Sequence, residues 1–128
     1  MEGEAFVNLL ARSLADKKAV RIAILDLRGI SSFADYFLIC SGTSEPQLKA
    51  LADAVRQAAR EQGGRNPLKA DGLPASQWVA VDFGDVIVHI FHHEAREFYD
   101  LESLWRDAPL REWTDPALEI GACAKPLP

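Results

Sequence analysis

The chain reads as an α/β (α+β) domain with a single mixed β-sheet and helices packed against it. Three observations predict this: the unbroken apolar run Tyr36–Cys40, an amphipathic helical stretch soon after it, and two apolar segments paired between Trp78 and Phe91. A strand with no polar alternation is covered on both faces and belongs at the centre of a sheet. A helix with one apolar stripe, following such a strand, packs back onto that sheet.

The elements follow in order. Phe6–Ala15 carries Phe6, Val7, Leu9, Leu10 and Leu14 near helical spacing, and Asp16-Lys17-Lys18 ends this helix with lysines suited to the negative end of its dipole. Val20–Leu27 alternates Val20, Ile22 and Ile24 against Arg21, Ala23 and Leu25, a strand that Gly29 and Ser31-Ser32 break. Asp35–Cys40 is the central strand. Ser41-Gly42-Thr43-Ser44 then turns the chain; Ser44 and Gln47 have the spacing of a capping box, and Pro46 sits in the first turn. The helix over 45–62 lines up Leu48, Leu51, Ala52, Val55, Ala58 and Ala59, and Gly63-Gly64 stops it. Arg65–Ser76 is mainly loop, with a short strand at Leu68–Ala70. The hairpin Trp78–Phe91 turns at Phe83-Gly84, with Asp82 and Asp85 at its corners. Glu94–Trp105 spaces Phe98, Leu101, Leu104 and Trp105 as a helix. Patterning fades after Pro109, so the domain is drawn at 1–108 and 109–128 as a partly disordered C-terminal extension. The order is α-β-β-α-β-β-β-α.

Composition narrows the function. A length of 128 residues suits one domain, and 48% hydrophobic with 26% charged residues is the balance of a folded globular chain. No apolar run approaches the roughly 20 residues that span a bilayer. Glu2 and Glu4 stand where a targeting peptide would be basic, which points to the cytoplasm. The net charge of −5 is unevenly spread: residues 1–70 carry +2, residues 71–107 carry −6 and the tail −1. Nucleic-acid binders concentrate positive charge, so an acidic segment beside aromatics fits a basic protein partner better.

No catalytic set emerges. Ser41–Ser44 between strand and helix has the placement of a phosphate cradle, and Asp82 with Asp85 has carboxylates for a divalent ion, but the two flank a turn and do not converge. His89, His92 and His93 offer no compact three-ligand group, and Cys40 and Cys123 read as a buried thiol and a tail thiol. No nucleophile elbow is present. Binding has more residues behind it: Trp78 opens the hairpin, and tryptophan is enriched at interface hot spots. By residue type alone, Trp78 and Phe83 suit a core equally well.

Three segments, D-Y-F-L-I-C-S-G-T-S at 35–44, W-V-A-V-D-F-G-D-V-I-V-H-I-F at 78–91 and R-E-F-Y-D-L-E-S-L-W at 96–105, resemble the Iojap family, the ribosomal silencing factors RsfS. The resemblance spans roughly residues 5–108. It implies a non-enzymatic factor with a nucleotidyltransferase-like fold that binds the large ribosomal subunit through ribosomal protein uL-fourteen. Such a factor blocks joining of the small subunit and represses translation in starvation or stationary phase, often as a homodimer. It further implies partner-binding roles for Trp78, Asp82, Phe83 and Asp85, with Tyr99 and Asp100 beside them. No cofactor, metal, membrane or sequence-specific nucleic-acid contact is expected. The alternative is a residual nucleotidyltransferase-type enzyme that binds nucleotide and metal.

Overall fold

The computed structural model describes residues 3–32, 34–71, 77–99 and 108–113. Its elements run α1 (Gly3–Asp16), β1 (Val20–Asp26), β2 (Tyr36–Gly42), α2 (Glu45–Glu61), β3 (Lys69–Asp71), β4 (Trp78–Asp82), β5 (Val86–His92), α3 (His93–Tyr99) and β6 (Leu110–Glu112). The strands form one mixed sheet in the order β3-β4-β5-β2-β1-β6. Only β2 and β5 pair in parallel, and all seven residues of β2 are buried, as its apolar run predicts.

Strand alternation divides the core between the two faces of the sheet. Ile22, Ile24, Tyr36, Leu38, Cys40, Val79, Val81, Val86, Val88 and Ile90 form a large cluster with Phe6, Leu10 and Leu14 of α1 and with Leu48, Leu51 and Val55 of α2. The opposite face holds a smaller cluster built on Leu25, Leu27, Phe37, Ile39 and Phe91, with Trp78 and Ile87 half-buried against it. Arg96 of α3 is buried and donates to the Arg21 carbonyl, where β1 is irregular, and to Ser41 Oγ at 3.1 Å. These bonds fix α3 at one end of β2.

The patterned sheet does not stop at residue 108. β6 pairs with β1 through Ala23–Glu112, Ile24–Arg111 and Leu25–Leu110, and the half-buried Trp113 donates from Nε1 to Asn8 Oδ1 of α1 at 3.0 Å. All three β6 residues are exposed, so no alternation marks the strand in the sequence. The remainder of the proposed extension, 114–128, lies outside the described residues, as do Leu101, Leu104 and Trp105 of the expected third helix.

The hairpin closes one residue later than its sequence suggests. The Phe83 N–H donates to the Val86 carbonyl at 2.9 Å, which leaves Gly84 and Asp85 as the turn. Gly84 takes a φ of 97°, a conformation that glycine adopts without a Cβ penalty, and Asp82 Oδ1 accepts from its N–H at 2.7 Å. Phe83 therefore continues the inward row Val79-Val81-Phe83. It is only 2% exposed, with its ring edge-on to Phe6 at 5.2 Å. The expected partner-binding role of Phe83 is corrected accordingly: it is a core residue. Phe83→Ala should cost roughly 3–5 kcal/mol of stability, the range for a large buried side chain. Urea unfolding measures this, and a loss below about 1 kcal/mol would contradict the packing.

Candidate aromatic docking face

The outer row of the hairpin carries Trp78, Ala80 and Asp82 on β4 and Ile87, His89 and Phe91 on β5, with Trp78 paired to Phe91 and Ala80 to His89. The half-buried Trp78 indole stacks on Phe91, with centroids 5.1 Å apart and planes 26° from parallel. Its Nε1–H donates to His89 Nδ1 at 3.1 Å. Phe37 of β2 meets the other side of the imidazole edge-on at 4.6 Å. Four rings thus form a continuous row across three strands.

His89 is 7% exposed, and desolvation pushes its pKa down to about 4. The imidazole is therefore neutral at physiological pH. Since Nδ1 accepts from Trp78, the proton sits on Nε2, an assignment made from the bond. Nε2 is buried and has no partner among the described residues. Leaving such a donor unpaired costs about 1–3 kcal/mol. Among the described residues, only one of the two ring nitrogens is satisfied.

The hairpin carboxylates differ in availability. Asp85 is held by Arg65 through contacts of 2.6 and 3.2 Å, and the Asp85 side chain is 24% exposed. Burial raises the Asp85 pKa, but the Arg65 bonds and charge, with the Gly3 N–H at the start of α1, outweigh it and hold the carboxyl below its ordinary value. Asp85 is thus occupied in the fold. Asp82 is half-buried and uses Oδ1 on Gly84. Tyr99 ends α3, but its side chain and all of Asp100 lie outside the described residues. The structure groups Trp78 and Asp82 on one face with His89, which sequence reading passed over as a partner of Trp78. Its signal is parity: positions 78, 80 and 82 share a face with 87, 89 and 91 once the turn is fixed.

The Ser41–Ser44 loop, which has the placement of a phosphate cradle, is filled from within. Ser44 caps α2 and accepts from the Gln47 N–H at 3.3 Å, which is half of the expected capping box. The Gln47 carboxamide turns instead to Thr43, accepting from its N–H at 2.7 Å and its hydroxyl at 3.0 Å, while Nε2 donates to the carbonyls of Lys17 and Lys18. Cys40 is fully enclosed; burial pushes its thiol up to about 12, and Arg96 offsets only part of this. Among the described residues no three His, Cys, Asp or Glu side chains converge as a metal group. A cleft of about 260 Å³ lies where α1, β1 and β6 meet, and its Asp26–Arg28 and Glu4–Arg111 pairs satisfy each other.

A family model described as "Ribosomal silencing factor during starvation" matches residues 2–125. The chain belongs to the RsfS family. A relative from Bacillus subtilis named "Ribosomal silencing factor RsfS" is 43% identical over 112 residues, covering 88% of this chain and 94% of its own. A crystal structure of a Chromobacterium violaceum protein superposes with a TM-score of 0.78 at 34% identity, covering 82% of this chain and 87% of that one. A mouse protein named "Mitochondrial assembly of ribosomal large subunit protein 1" is 31% identical over 118 residues, and the match covers 91% of this chain and half of the mouse protein. The RsfS match runs past residue 108 and includes β6. The names of these RsfS relatives describe regulators. Among the described residues of this RsfS chain, no helix is long and apolar enough to cross a membrane.

The buried neutral His89 makes stability pH-dependent. Its folded pKa lies below the ordinary 6.5, so on acidification the unfolded chain takes up the proton first. Stability should be full above about pH 6.5 and fall as pH drops toward 4, by a limiting amount on the order of 3 kcal/mol. The Asp85 contribution is lost only at still lower pH, because its pKa is depressed. Urea midpoints between pH 7 and 4 test this, and His89→Phe should flatten that part of the profile. An unchanged slope in the variant would show that another group titrates.

Proposed function

We propose that the protein docks on the large ribosomal subunit through the Trp78 face, that its contact there is ribosomal protein uL-fourteen, and that by occupying this surface it blocks joining of the small subunit and lowers translation under starvation. Membership of the RsfS family carries this reading, and the name of the mouse relative supports a large-subunit partner. Trp78, the half-buried member of a four-ring row whose other three rings are enclosed, supplies an aromatic anchor of the kind that dominates interface energetics. Asp82 and the acidic surroundings of the hairpin favour a basic partner and speed its association. Steric exclusion requires no chemistry: a domain on the order of 30 Å across is deep enough to obstruct the joining subunit. The setting is the compartment in which ribosomes translate, and the homodimer implied by the family resemblance belongs to the same proposal.

Added to purified large subunits before small ones, the protein should cosediment with the large subunit and reduce the whole-ribosome peak in sucrose gradients. Trp78→Ala should weaken cosedimentation about thirtyfold, the equivalent of ~2 kcal/mol at an aromatic hot spot. Asp82→Asn, which retains the Oδ1 acceptor for Gly84, should act mainly on association rate and salt dependence. Gradient profiles unchanged at saturating protein would overturn the proposed activity. Crosslinking of the bound complex identifies the subunit protein that is touched.

A further inference from the structure

His89 occupies a position suited to a hydrocarbon. Phe37 and Phe91 flank it, it is paired in register with Ala80 and Ile39, and it is 7% exposed. A phenylalanine would fill nearly the same volume without a buried polar atom. The histidine makes one side-chain hydrogen bond among the described residues, from Trp78 Nε1–H to Nδ1 at 3.1 Å. That bond also creates the defect. An imidazole that accepts at Nδ1 and is neutral must carry its proton at Nε2, and Nε2 is buried with no partner among the described residues. The unpaired donor is therefore a direct consequence of serving Trp78.

The bond sets the pose of Trp78. Stacking on Phe91 limits the tilt of the indole but permits it to slide or flip in its own plane, whereas a directional bond at Nε1 selects one edge. A half-buried tryptophan held by both is already in a single rotamer before any partner arrives. Ordering a side chain in advance removes part of the cost of binding. Burial keeps the imidazole neutral, so Nδ1 stays an acceptor across the pH range in which ribosomes work.

We propose that His89 is a positioning residue for docking: through Nδ1 it holds the Trp78 indole against Phe91 in the pose the ribosomal partner receives, at the expense of an Nε2–H that no described residue accepts. The inference rests on the reading that the Trp78 face docks on the large subunit.

The test compares full-length wild type, His89→Phe, His89→Gln and Trp78→Ala, each measured for melting temperature and for affinity to purified large subunits. A third readout is hydrogen exchange of the Trp78 indole N–H in ¹H–¹⁵N spectra. His89→Phe should melt at the same temperature as wild type or higher, yet bind about three- to tenfold more weakly, with the indole proton exchanging faster. His89→Gln, whose carboxamide oxygen offers an acceptor again, should bind more tightly than His89→Phe and restore the slow exchange although it is less stable. A purely structural role cannot produce these opposite orders of stability and affinity.

If Trp78→Ala weakens binding while His89→Phe binds like wild type, the positioning role is overturned and the docking face stands. If Trp78→Ala binds like wild type, the docking face itself is wrong and the positioning role falls with it. If His89→Phe loses melting temperature and affinity together and His89→Gln rescues neither, His89 is structural and the proposal is overturned.

Discussion

The Arg65 guanidinium holds three separated parts of the chain in one geometry. It meets Asp85 at 2.6 Å, donates to the Phe83 carbonyl at 2.6 Å, and lies over the Phe6 ring at 4.3 Å. The Asp85 carbonyl accepts from Asp35 and Tyr36 at the entry to β2. A partly buried ion pair offsets its desolvation best when its remaining hydrogen-bonding capacity is used, and Arg65 uses part of it on the Phe83 carbonyl. Lysine could not substitute, because the arrangement needs a planar fork with several donors and a face that stacks on an aromatic ring. With the turn fixed, Phe83 points inward and the register of β4 on β5 follows. That register alone brings Trp78 diagonally across from His89.

The two faces of the sheet are unequal, and the proposed docking residue Trp78 lies on the one with the smaller cluster. Helices α1 and α2 bury one face with a dense aliphatic cluster, in which every hydrophobic residue of β4 and β5 pointing that way is enclosed. The other face has a smaller cluster, and α3 is drawn to one end of β2 by Arg96. Docking needs an apolar surface that the fold has not already consumed, yet one stiff enough to keep its shape. In the outer row of the hairpin, His89 and Phe91 are enclosed and Trp78, Ala80 and Ile87 are half-buried, so Trp78 is the aromatic of that row left partly accessible, on a strand whose inner row is locked into the main core. The carboxylate of Asp82 lies at the end of that row, at the turn it helps to form.

Much of the architecture was legible because it is local. The unbroken run of β2, the stripe of α2 and the Ser44 cap each arise from residues within a few positions of one another, where periodicity and capping are reliable guides. Long-range pairing was not. β6 is three exposed residues recruited by β1 from more than 80 positions earlier, and nothing within Leu110–Glu112 announces a strand. Phe83 was misplaced by treating Phe83-Gly84 as the turn, although the alternation Val79-Val81-Phe83 carried the correct answer. Trp78 could be singled out by type, but its partner could not, since the choice between His89, His92 and His93 depends on the turn length. Asp85 read as a free surface acid because the cation that claims it lies 20 residues away in a loop with no pattern of its own.

Hydrogen-bond satisfaction separates two polar side chains, Gln47 and His89. Gln47 sits at the loop that could have held a phosphate, and all four of its side-chain bonds are made within the fold, two to Thr43 and two to the end of α1. It leaves nothing for a ligand and serves to join two helices. His89 lies on the opposite face, buried, with its Nε2 unpaired among the described residues. Buried polar groups in native proteins are paired with few exceptions, and this exception lies beside the half-buried Trp78. The completed network belongs to the scaffold, and the incomplete one adjoins the tryptophan proposed to dock.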